Sequence, residues 1–69
     1  MVEVYKTNVS RRRQAKMLIA HLSRQFPMLK INFDLEDCDH ILRIEGEHIL
    51  NEKIATLVTE RGYLCEILK

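Results

Sequence analysis

Val9-Ser10-Arg11-Arg12-Arg13-Gln14 joins the first strand of this chain to its first helix, and three consecutive cations sit at the join. On its N-terminal side, Val2-Glu3-Val4-Tyr5-Lys6-Thr7 alternates apolar and polar residues, which predicts a short strand. Val2 and Val4 share one face of it; Glu3, Tyr5 and Thr7 share the other. On its C-terminal side, Ser10 is the expected N-cap, because its hydroxyl can accept a free backbone N–H of the first turn. The helix it opens runs to about Gln25 or Phe26, with Ala15, Leu18, Ile19, Leu22 and Phe26 on one stripe and Met17 and His21 off it. Pro27 stops it.

The rest of the chain repeats this alternation of periods. Ile31, Phe33 and Leu35 alternate with Asn32 and Asp34 as a second strand. Glu36-Asp37-Cys38-Asp39 is a polar turn, and His40-Ile41-Leu42-Arg43-Ile44-Glu45 returns as a third strand, so the pair makes a hairpin ended by Gly46. Leu50, Ile54, Leu57 and Val58 form a second helical stripe that starts near His48 or Asn51. Gly62 is its expected left-handed C-cap residue, with Arg61 beside the negative helix end. Tyr63 to Leu68 is the last strand. The order βαββαβ, with right-handed crossovers, predicts an α+β ferredoxin-like sandwich. Its antiparallel four-stranded sheet has the order 4-1-3-2, and both helices lie on one face.

The 69 residues form one domain, 1–69, and an apolar fraction of 46% suffices for a core. No apolar run approaches the ~20 residues that span a bilayer. Met1-Val2-Glu3-Val4-Tyr5 does not read as a signal peptide, so the expected location is cytoplasmic. Cys38 and Cys65 are too few and too far apart for a disulfide framework. The net charge of +1 hides an asymmetry, with about +6 on residues 1–30 and about −5 on residues 31–69.

With its order and size, the chain resembles the heavy-metal-associated domain of copper chaperones and metal-pumping ATPases. The resemblance rests on Ile31-Asn32-Phe33-Asp34-Leu35, Leu42-Arg43-Ile44-Glu45 and Val58-Thr59-Glu60-Arg61-Gly62-Tyr63, and it covers nearly the whole chain. It implies a Gly-Met-x-Cys-x-x-Cys motif between strand one and helix one, whose thiolates grip Cu(I) or Zn(II). Here the glycine position falls on Asn8, the methionine on Val9, and the cysteines on Arg11 and Gln14. A guanidinium has no lone pair to donate. The fold carries over and the usual metal site does not; no cofactor is expected.

Three functional readings follow. The preferred one is a small cytoplasmic binding or regulatory module, a protein-interaction domain. Arg11, Arg12 and Arg13 are its contact for an anion or acidic partner, at a helix end where cations are unfavourable. Glu36, Asp37 and Asp39 are the internal groups expected to compensate them. Tyr5, Ile41, Leu64 and Leu68 are placed on the open sheet face, an association surface for a two-fold homodimer. The second reading is a heavy-metal carrier with the non-standard ligands Cys38, His40 and Cys65. The third, with least support, is an RNA binder, since strand three offers no aromatic for base stacking. No catalytic constellation is present in the sequence, and an enzyme is not expected.

Overall fold

A computed structural model describes residues 1–36 and 40–68. The elements follow in the order β1 (Val2–Thr7), α1 (Arg12–Gln25), β2 (Lys30–Asp34), β3 (Ile41–Glu45), α2 (Asn51–Glu60) and β4 (Cys65–Leu68). The strands form one antiparallel sheet in the order β2-β3-β1-β4. This is the ferredoxin-like α+β arrangement that the alternating periods predict. Each helix packs mainly on the sheet and to a lesser extent on the other helix.

The register decides which residues are core. Tyr5 stands opposite Leu42 on one side and Ile67 on the other, and Leu42 stands opposite Phe33. Side chains one step apart on a strand point to opposite faces. This row therefore lies on the helix-covered face, where Tyr5, Leu42 and Ile44 meet Leu22, Ile54 and Val58. The expected placement of Tyr5 on the open face is wrong: none of its surface is exposed. Alternation in β1 permits either face inward. Tyr5 is the largest apolar body on the strand, and its hydroxyl has an acceptor inside. That hydroxyl donates to Oδ1 of Asn51 in the first turn of α2. Burial raises the Tyr5 phenol well above its ordinary range, and the Glu3 carboxylate adds to the effect.

The open face consequently carries Val2, Val4 and Lys6 of β1, Ile41, Arg43 and Glu45 of β3, and Glu66 and Leu68 of β4. Ile41 and Leu68 lie there as expected. Leu64 precedes β4 and is 68% exposed. Arg43 and Glu45 form an ion pair of 3.0 Å across it. The face is thus a mixture of charges with small apolar side chains.

The two ends of the sheet differ. At one end Gly46 donates its N–H to the Met1 carbonyl at 3.0 Å, and a Cβ on Gly46 would fall 2.2 Å from Leu29 Cδ2, so the end of the leucine side chain would have to move for any larger residue. At the other end β1 runs into α1. The C-terminus of α2 closes as the sequence predicts. Gly62 adopts a φ of 92°, its N–H donates to the Thr59 carbonyl, and the Tyr63 N–H donates to the Val58 carbonyl.

Candidate functional site

The β1–α1 junction is built around Thr7. Its hydroxyl donates to the His40 carbonyl at 2.6 Å and accepts the Val9 N–H at 3.2 Å. One buried side chain so ties the junction to the start of β3. Val9 then turns fully inward and packs with Ala15 and Leu18, against Phe33, Leu35 and Tyr63. The residue standing at the resemblance's methionine position is thus a core residue.

Past Val9 the chain surfaces. The N-cap of α1 is Arg11, not Ser10, because the helix begins one residue later, at Arg12. The Gln14 carboxamide takes over the capping: its Oε1 lies 3.3 Å from the Arg11 N–H and 3.4 Å from that of Ser10. Arg11, Arg12 and Arg13 are all exposed, and the first turn contains no acid. Among the described residues no ion pair joins any of the three to a carboxylate. Glu36 lines a surface depression with Arg12, Lys16 and Asp34 but forms no ion pair with them, while Asp37 and Asp39 lie outside the described residues.

A fourth cation lies along α1. Arg61 lines a hollow of about 150 Å³ with Gln14, Met17, Leu18 and Tyr63. Its Nη2 donates to His21 Nδ1 at 2.8 Å, which requires the ring proton to sit on Nε2. Sequence reasoning gives Arg61 only a helix-end role. The missed signal is that Gly62 turns the chain back toward α1. Thr7 is missed for a related reason: a polar residue closing a strand reads as solvent-facing.

The proposed non-standard metal ligands are not gathered by the described residues. Cys38 lies outside them. His40 has a φ of 47°, and its Nδ1 is buried with no hydrogen-bond partner among the described residues. Cys65 pairs with Thr7, on the strand beyond β1 from His40. No group of three or more His, Cys, Asp or Glu among the described residues could hold a metal ion. Burial pushes the Cys65 thiol up to about 11 from 9.0, so it is neutral at pH 7, whereas a soft metal needs the thiolate.

That shift has a consequence for stability. An acid whose folded pKa is raised adds stability below its unfolded value. The contribution is lost as pH rises from about 9 through 11. The thiol is only half-buried, so solvent screening reduces the effect to about 1 kcal/mol. Urea midpoints are expected to fall over that window and to fall less in Cys65→Ala.

No helix of the described residues is long and apolar enough to cross a membrane. Protein-family models, curated proteins and solved structures were compared with the chain, and none matches it.

Proposed function

We propose that this chain is a small cytoplasmic protein-interaction module that captures an acidic segment of a partner at the end where β1 enters α1. The observation that carries this reading is the exposure of Arg11, Arg12 and Arg13, without ion-pair partners among the described residues, at the positive end of α1. Cations there oppose the helix dipole, each costing about 0.3–1 kcal/mol at low salt. An arrangement that costs stability where a neutral side chain would not is a candidate for function. Guanidinium groups bind carboxylates in a two-pronged fashion, which suits Asp- and Glu-rich segments. Lys16 lines a depression together with Arg12.

The test is anisotropy of a labelled oligoglutamate peptide, with an oligoglutamine peptide and a single-stranded RNA of equal charge as comparisons. The oligoglutamate should bind best, with affinity falling as salt rises. Replacing Arg11, Arg12 and Arg13 together by alanine should weaken it about tenfold or more. The same substitution should raise stability at low salt by about 1–2 kcal/mol, since three misplaced cations leave the helix end. A clear preference for the RNA would transfer the surface to nucleic acid. Equal, weak binding of all three probes would sink the reading.

A further inference from the structure

β2 is an edge strand, hydrogen-bonded to β3 on one side and to no strand among the described residues on the other. An unpaired strand edge is a template for another chain. The residues from Leu29 to Leu35 read Leu-Lys-Ile-Asn-Phe-Asp-Leu. Laid antiparallel on its own copy about Asn32, this stretch sets Lys30 against Asp34, Ile31 against Phe33 and Leu29 against Leu35. Every pair is complementary in charge or in polarity.

The faces agree as well. Lys30, Asn32 and Asp34 share the open face with Arg43 and Glu45, while Ile31 and Phe33 share the core face with Leu42 and Ile44. Pairing two copies would therefore place both Lys–Asp pairs on the solvent side. The two Ile–Phe pairs would continue the apolar floor beneath α1. The opposite edge lacks this property: β4 centred on Glu66 sets Glu66 against its own copy, and centred on Ile67 it sets Glu66 against Leu68. The open face also lacks it, now that Tyr5 belongs to the core.

We propose that two copies of this chain associate through β2, antiparallel about Asn32, to form one continuous eight-stranded sheet. A two-fold contact of this kind closes at two copies. It borders the depression that Arg12 and Lys16 line beside Asn32, Phe33 and Asp34, and its test, run with no acidic peptide present, reads the pairing separately from the acidic-partner reading.

Sedimentation equilibrium of the full chain, run up to about 1 mM, tests it. The parent should reach twice its 8.2 kDa mass as concentration rises. Asp34→Lys places lysine opposite Lys30 at both ends of the pairing and should weaken association about tenfold or more. Lys30→Asp should do the same by setting aspartate against Asp34. The double variant Lys30→Asp/Asp34→Lys restores both opposite-charge pairs and should restore association. Both positions are exposed, and circular dichroism is expected to report folded protein throughout. A parent that stays monomeric, or single variants that associate as the parent does, would overturn the proposal. So would single variants that lose association without recovery in the double.

Discussion

Replacing Tyr5 by alanine is expected to cost about 3–5 kcal/mol, the usual penalty for truncating a buried aromatic. A domain of this length has roughly 3–10 kcal/mol to lose, so the variant should forfeit a large share of its stability, read as a much lower urea midpoint. The reason lies in where Tyr5 stands. It occupies the middle of the central row of the core, between Leu42 and Ile67. It also reaches across to Asn51, forming the hydrogen bond that ties the first turn of α2 to the sheet. Tyr5→Phe separates the two contributions. The ring stays and the hydroxyl goes, and Asn51 is only partly buried, so water can satisfy its carboxamide. The expected cost is then about 1 kcal/mol, seen as a urea midpoint lower by about 1 M. Had Tyr5 belonged to the open face, Tyr5→Ala would fall within about 0.5 kcal/mol of the parent, a result that would reverse the orientation of β1.

Thr7→Val should cost about 2–4 kcal/mol despite near-identical shape. The threonine hydroxyl serves two backbone groups at once, the His40 carbonyl and the Val9 N–H. Valine fills the same space and satisfies neither group. Leaving a buried backbone group unpaired costs about 1–3 kcal/mol. Thr7→Ser keeps the hydroxyl and should recover most of the loss. Hydrogen exchange should distinguish this damage from a general weakening: the Val9 amide should lose protection in Thr7→Val before amides in the middle of β3 do. Equal stability of the valine and serine variants would show that the junction does not depend on these bonds. The prediction also bears on the basic end, because Thr7 anchors the segment from which Arg11, Arg12 and Arg13 project.

Element order and sheet topology were legible because they depend on period and punctuation. Helix-period stripes are bounded by Pro27 and Gly62, and alternating runs by the polar turn and Gly46. The facing of β1 was not legible, since Val-Glu-Val-Tyr-Lys-Thr alternates equally well in either sense. Only a long-range partner, Asn51, distinguishes the two. The same limit hid Thr7, whose buried role needs the His40 carbonyl from 33 residues away. The cap of α1 shifted by one residue because Gln14 competes with Ser10 for the capping role, and side-chain reach decides between them. At the candidate site, the arginine cluster could be read directly as three adjacent letters. The hollow that Arg61 shares with Gln14 could not, because Arg61 arrives through the α2–β4 turn.

The tie between Gly46 and the Met1 carbonyl fixes how the molecule can be handled. β1 starts beside that tie and runs the length of the sheet before reaching the arginines. A linker attached ahead of Met1 therefore departs from the far pole. Grafted there to a sensor chip or a fluorophore, the chain directs its cationic end into solution.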